Sequence, residues 1–84
     1  MKHQVEAITF NGTSMKLRVD ARDYKVDLAA LSESLLKATE VQRMTYRVSP
    51  AGYGIHWPLI DEDLTVDGII KAAAPTGRLE KRAS

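Results

Sequence analysis

Residues 15–28 read Met-Lys-Leu-Arg-Val-Asp-Ala-Arg-Asp-Tyr-Lys-Val-Asp-Leu, and this stretch decides the fold class. In its first half, apolar side chains at every second position alternate with lysine, arginine and aspartate. The alternation resumes at Tyr24 after a break at residues 21–23. A period of two is typical of a strand that has one buried and one solvated face. The stretch therefore predicts two strands joined by a turn.

The residues before this stretch add a third strand. Val5 to Phe10 is rich in β-forming residues and is followed by Asn11-Gly12, a strong turn signal because both residues tolerate positive φ. We expect an antiparallel meander of three strands, over roughly residues 4–10, 15–20 and 23–27.

After the meander the period lengthens to three and four. Leu28, Leu31, Leu35 and Ala38 recur with polar residues between them, which predicts an amphipathic helix. Asp27 is placed to cap its N-terminus by accepting a hydrogen bond from a backbone N–H.

A second short helix is predicted to begin at Thr39. Residues 39–42 read Thr-Glu-Val-Gln and fit a capping box, in which the first and last side chains satisfy each other's backbone N–H. This helix would turn Val41 and Met44 inward.

A later β-hairpin is predicted from residues 45–49 and 54–57, which flank a turn at Pro50-Ala51-Gly52. Pro58 has no N–H to donate, so the second strand should end near it. The order βββα(α)ββα predicts an α+β fold, with helices packed on one face of a mostly antiparallel sheet.

A last helix is predicted over about residues 66–73, with Asp63 or Thr65 as its N-cap and Pro75 as its end. The side chains expected to face the core from this region are Leu64, Ile69 and Ile70. We expect residues 1–75 to form one α+β domain. Residues 76–84 are polar and charged, which favours a flexible tail.

Composition narrows the classes of function. The chain has 84 residues, no cysteine and a formal net charge of +1. The lack of cysteine excludes disulfides, thiolate metal sites and a cysteine nucleophile. A near-neutral charge disfavours direct nucleic-acid binding, which depends on a basic excess. No apolar run resembles a signal peptide or a membrane span, and we expect a cytoplasmic protein without a membrane segment.

Residues 52–64 read Gly-Tyr-Gly-Ile-His-Trp-Pro-Leu-Ile-Asp-Glu-Asp-Leu and contain the candidate functional residues. Trp57 is expected to anchor the core, which turns His56 outward because neighbouring strand residues face opposite ways. The acidic residues 61–63 could begin a helix, form a surface for a basic partner, or act as catalytic carboxylates. A metal held by His56 with Asp61 and Asp63 is a further alternative.

The same segment resembles the signature of a bacterial family known as domain of unknown function 2442. The matching positions are Gly54, Ile55, His56, Trp57, Pro58, Asp61, Glu62, Asp63 and Leu64. The resemblance covers roughly residues 3–72 and implies a small α+β fold. Some family members are fused to a helix-turn-helix domain and others are encoded beside small toxin-like proteins, which implies a regulatory or antitoxin-like role. The resemblance supplies no catalytic residues.

These observations predict a protein-binding module without catalytic, cofactor or metal sites. Its partner would be a small protein with a basic face, and a homodimer is an open alternative. The residues predicted to bind the partner are Tyr53, His56, Asp61, Glu62 and Asp63. The motif residues expected to act as scaffold are Gly54, Ile55, Trp57, Pro58 and Leu64. Rival functions are a dimeric DNA-associated regulator using the basic tail and a metal-dependent small enzyme.

Overall fold

The computed structural model describes residues 2–73 and has an α+β fold, as predicted. Two three-stranded antiparallel sheets have the orders β1-β2-β3 and β4-β5-β6. The elements are β1 (Val5–Asn11), β2 (Ser14–Val19), β3 (Arg22–Asp27), α1 (Leu28–Leu31), α2 (Glu33–Lys37), α3 (Glu40–Met44), β4 (Arg47–Val48), β5 (Gly54–Trp57) and β6 (Glu62–Thr65). They are followed by a helix, α4, over residues 66–73. The predicted tail at residues 76–84 lies outside the described residues.

The first sheet confirms the predicted meander. Strands β2 and β3 pair so that Met15 lies opposite Val26, and the two-residue loop between the strands has φ of 53° at Asp20 and 69° at Ala21. Positive φ at both loop residues suits the twist of a tight hairpin but is costly for residues other than glycine. The Asp20 carboxylate accepts a hydrogen bond from the Gln4 backbone N–H at 2.9 Å, and this bond helps to hold the loop.

The predicted first helix is correct at its start and wrong in its continuity. The Asp27 side chain accepts from the Ala29 N–H at 3.0 Å and caps α1, as expected. The helix breaks at Ser32, whose φ of −161° is extended. Ser32 Oγ accepts from the Leu35 N–H at 3.2 Å and caps α2. Ser32 Oγ also donates to the Glu62 carboxylate on β6, so a tertiary contact competes with helical continuity.

The capping box at Thr39 is confirmed, but the predicted inward faces of Val41 and Met44 are wrong. These side chains are 69% and 51% exposed. Arg43 takes the inward position on α3 instead. Its guanidinium donates to the carbonyls of Leu35 and Leu36 at 3.0 Å each and to that of Gly12 at 2.7 Å. The helix is oriented by this polar contact rather than by its apolar residues.

The second sheet contains the predicted hairpin and one strand that was not predicted. Strand β6 pairs with β5, whereas residues 61–63 were expected at a junction between a loop and a helix. The helix start lies further along the chain, because Thr65 Oγ1 accepts from the Gly68 N–H at 3.0 Å. Thr65 is therefore the N-cap of α4, and Asp63 belongs to the sheet.

The core lies against the inner faces of both sheets and is centred on Trp57, which has no exposed surface. Its indole Nε1–H donates to the Arg43 carbonyl at 3.0 Å, and its ring centroid lies 6.3 Å from that of Tyr46. The buried apolar residues are Ile8, Met15, Leu17, Val19, Val26, Leu28, Leu35, Ile55, Trp57, Val66, Ile69 and Ala73. Leu64 and Ile70 pack against this core, and Ile69 lies within it, as predicted. Among the described residues, no helix has the length and apolarity that crossing a membrane requires.

Replacing Arg43 by methionine should destabilise the protein by about 1–3 kcal/mol, because part-buried carbonyls at the end of α2 lose a charged donor. Urea unfolding followed by the fluorescence of Trp57 measures this difference. Arg22→Met, at an exposed position of β3, is the matched control and should change stability by less than about 0.5 kcal/mol. Equal midpoints for the two variants would contradict the structural role of Arg43.

Candidate functional site

The outer face of the second sheet carries a row of three polar side chains. Arg47 on β4 lies opposite His56 on β5, and His56 lies opposite Asp63 on β6. Residues directly opposite each other in antiparallel strands share a face, while their neighbours in sequence turn to the other side. Ile55 and Trp57 accordingly face the core, so one short strand serves both the core and the surface.

His56 and Asp63 form a hydrogen-bonded pair within this row. Nδ1 of His56 lies 2.8 Å from Oδ1 of Asp63, and the two side chains are 39% and 76% exposed. An ionised carboxylate only accepts hydrogen bonds, so Nδ1 carries the hydrogen. This orientation leaves Nε2 of His56 available to a group that approaches from solvent. The outward position of His56 agrees with the prediction.

An open, mostly apolar groove of about 490 Å³ lies beside the row. Its apolar lining includes Val48, Pro50 and Tyr53, and its polar lining includes Arg47, His56 and Asp63. Tyr53 is 54% exposed. This exposure is unusual, because a small protein has few large aromatic side chains with which to fill its core. We name this surface, with the polar row, the β4–β6 groove.

The turn before β5 holds Tyr53 firmly. Ser49 Oγ accepts from the backbone N–H groups of Tyr53 and Gly54, at 2.9 and 3.1 Å. The Tyr53 carbonyl accepts from the Val66 N–H at 2.8 Å, which ties the turn to the start of α4. Gly52 has φ of 71°, and a Cβ there would lie 1.8 Å from the His3 carbonyl oxygen. The groove is thus built on a turn with little freedom to rearrange.

The structure divides the five residues predicted to bind a partner. Tyr53, His56 and Asp63 lie together on the β4–β6 groove. Asp61 is exposed in the turn before β6, with φ of 52°. Glu62 lies opposite Trp57 and therefore faces the other side of the sheet, where its carboxylate accepts from Ser32 Oγ. The three consecutive acids occupy different environments because Asp61 lies in a turn, while Glu62 and Asp63 face opposite sides of β6.

The motif residues predicted as scaffold occupy positions with structural roles. Ile55 and Trp57 are 1% and 0% exposed, and Leu64 packs against the core. A Cβ on Gly54 would approach the Leu64 carbonyl oxygen to 3.0 Å, so glycine allows β5 and β6 to lie close together. Strand β5 ends at the residue before Pro58, as expected.

Two contributors to the site were missed from the sequence. Arg47 lies within the predicted strand at 45–49, but its place beside His56 follows from the strand register, which the sequence pattern does not give. His3 contacts the turn beneath Tyr53, since its backbone N–H donates to the Ala51 carbonyl at 3.0 Å. The alternation of His56 and Trp57 in the sequence predicts that His56 faces outward. It does not predict which residues of the neighbouring strands lie beside His56.

Within residues 2–73, no group of three or more histidine, cysteine, aspartate or glutamate side chains is arranged to hold a metal ion. Of the two aspartates considered for a metal site with His56, Asp63 forms a hydrogen bond with it and Asp61 does not. The arrangement of the β4–β6 groove is suited to contact with an apolar side chain and a charged group at its rim.

The family model described as "Protein of unknown function (DUF2442)" matches residues 5–75. The chain belongs to this family. The matched residues include every element from β1 to α4. No curated protein and no solved structure matches this sequence. The family description assigns no activity to this DUF2442 protein.

Gly52→Ala should destabilise this DUF2442 protein much more than Gly12→Ala. Both glycines have positive φ, which costs an L-residue about 1–2 kcal/mol. A Cβ at Gly12 meets nothing within 4 Å, whereas one at Gly52 would overlap the His3 carbonyl. We expect overpacking to add about 1–3 kcal/mol for Gly52→Ala.

Thermal and urea unfolding of the two glycine variants provide the comparison. Equal losses of stability would show that the turn at Gly52 yields easily, and that the N-terminal segment does not constrain Tyr53.

Proposed function

We propose that the β4–β6 groove binds a small protein partner, and that this chain is the antitoxin-like or regulatory half of a two-protein system. The observation that carries the proposal is an apolar concavity open to solvent, with the half-exposed ring of Tyr53 at its side. Aromatic residues held rigidly at the centre of a contact surface contribute much of the binding energy in protein interfaces.

The charges at the rim support a partner with a basic face. Asp63 lines the groove and is 76% exposed even though it bonds His56, and Asp61 is exposed in the turn before β6. A basic side chain that approaches this rim can pair with carboxylates already directed to solvent. Arg47 at the other end of the row would repel a basic group, so the row favours one orientation of the partner.

Binding fits the site better than catalysis. His56 and Asp63 resemble two members of a catalytic triad, but within the described residues no hydroxyl bonds the free Nε2 of His56. Nucleophilic catalysis of the triad type requires a hydroxyl within hydrogen-bond reach of that nitrogen. The rival role in DNA binding depended on residues 76–84, which lie outside the described residues.

Tyr53→Ala should weaken partner binding by at least about tenfold, since truncating an interface anchor costs roughly 2 kcal/mol. The partner would be sought by affinity purification from the native host, with wild-type bait compared with an Asp61→Asn, Asp63→Asn bait. Isothermal titration calorimetry with the purified partner would then give the affinities. Glu40→Gln, on α3 outside the groove, is the matched control and should bind like wild type. If Tyr53→Ala and Glu40→Gln bind equally well, the groove is not the binding surface.

Glu62→Gln separates the structural acid from the proposed binding acids. Because Glu62 faces Ser32 and not the groove, its replacement should lower stability and leave the affinity for the partner within about twofold of wild type. Asp63→Asn should instead slow association and reduce its dependence on salt. The reverse pattern would show that the partner binds the opposite face of the sheet.

A further inference from the structure

His3 lies at a junction between parts of the chain that are far apart in sequence. Its side chain is 10% exposed, and its two ring nitrogens contact two different carboxylates. Nδ1 lies 2.7 Å from Oδ2 of Asp20, and Nε2 lies 2.7 Å from Oδ1 of Asp67. Asp20 belongs to the loop between β2 and β3, and Asp67 to the first turn of α4.

This geometry requires a doubly protonated ring. Ionised carboxylates accept hydrogen bonds and donate none, so both nitrogens of His3 must carry hydrogen. A neutral ring would place a nitrogen lone pair against a carboxylate oxygen. The hydrogen bond to Asp20, and to a lesser extent the one to Asp67, raises the pKa of His3, although burial of the ring acts in the opposite direction. The same contact lowers the pKa of Asp20, with the Gln4 N–H adding to the effect.

The backbone around His3 extends the junction to the second sheet. The His3 N–H donates to the carbonyl of Ala51 in the turn before β5, and the Asp20 N–H donates to the carbonyl of Gln4. The N-terminal segment is thereby held to the first sheet, to the second sheet and to α4. Among the described residues, Asp20 and Asp67 are the charged groups that face the ring, and the turn contributes the Ala51 carbonyl.

We infer that His3 is a proton-operated latch, which fastens the N-terminal segment to α4 when the ring is charged and releases α4 when the ring is neutral. The bond to Asp67 is the one that opens. Asp67 is 70% exposed and regains water readily, whereas Asp20 is 52% exposed and is also held by the Gln4 N–H. Release frees α4 from the ring of His3, and the Ala51 turn keeps its backbone bond to a segment that is then less firmly fixed.

The latch has a consequence for the β4–β6 groove, although this consequence rests on the proposed function. Ala51 and Gly52 immediately precede Tyr53, and the Gly52 backbone packs on the His3 carbonyl. Opening the latch leaves the backbone of His3 less firmly fixed beneath the turn that presents Tyr53. The groove would then be best ordered while His3 is charged.

The pH dependence follows from the directions of the two shifts. The pKa of His3 is raised above 6.5 in the folded protein. The charged ring therefore stabilises the folded protein fully below pH 6.5, and this stabilisation is lost as the pH rises through the raised pKa. Because the pKa of Asp20 is lowered from 3.8, its contribution is complete above that pH and is lost as the pH falls through the lower folded value. The latch is therefore closed between pH 3.8 and pH 6.5, and it opens as the pH rises through the raised pKa of His3.

The test needs no partner, so its failure is distinct from failure of the proposed function. His56→Gln leaves His3 as the single histidine of the full chain, and nuclear magnetic resonance of its ring nitrogens can follow both protons during a titration. We expect two protonated ring nitrogens at pH 6 and a midpoint above 6.5. Asp67→Asn in the same background should lower that midpoint. A midpoint at or below 6.5, or no change in Asp67→Asn, would overturn the latch.

Amide hydrogen exchange provides the conformational readout. After correction for the intrinsic rate, protection of the His3 N–H should fall when the pH passes the measured midpoint of His3. His3→Gln should lose protection of this amide at all pH values, and His56→Gln should show the same pH dependence of this protection as wild type. Protection that does not follow the titration of His3 would also overturn the proposal.

Discussion

The hydrogen bond from the buried indole of Trp57 to the Arg43 carbonyl is the constraint on which the rest of the structure depends. A chain of 84 residues forms a small core, and its single tryptophan is the largest side chain within it. A buried indole must satisfy its N–H, and here the partner is the backbone of α3. The side chain of Arg43 then bonds the end of α2 and the first hairpin, with its guanidinium 5.7 Å from the ring of Phe10. Trp57 and Arg43 together therefore connect the core, the helices α2 and α3, and the first hairpin.

Burial of Trp57 also determines the chemistry of the outer surface. Once Trp57 faces inward, His56 must face outward, and pairing with β6 turns Asp63 to the same side as His56. Glu62 must then lie on the inner side, where it bonds the N-cap of α2. The acidic run is therefore divided between a structural contact and a solvent-exposed rim, although its three members are adjacent in sequence.

Membership of the family and the proposed binding surface rest on different residues. Much of the recognisable motif packs the second sheet, through Ile55, Trp57 and the close approach at Gly54. The groove is completed by Arg47, Val48 and Pro50, which precede the motif. A shared motif thus predicts a shared scaffold, while the partner would be selected by residues that lie around it.

The sequence by itself determined the elements that depend on near neighbours. The alternation around Leu17, the cap at Asp27 and the capping box at Thr39 were all predicted, because the groups involved are separated by at most a few residues. Only the tertiary structure decided the break at Ser32, the strand β6, the outward faces of Val41 and Met44, and the junction at His3. Each depends on a partner distant along the chain, as the separation of 64 positions between His3 and Asp67 illustrates. Local patterns do not encode such pairings, because they are chosen by the packing of the whole chain around Trp57.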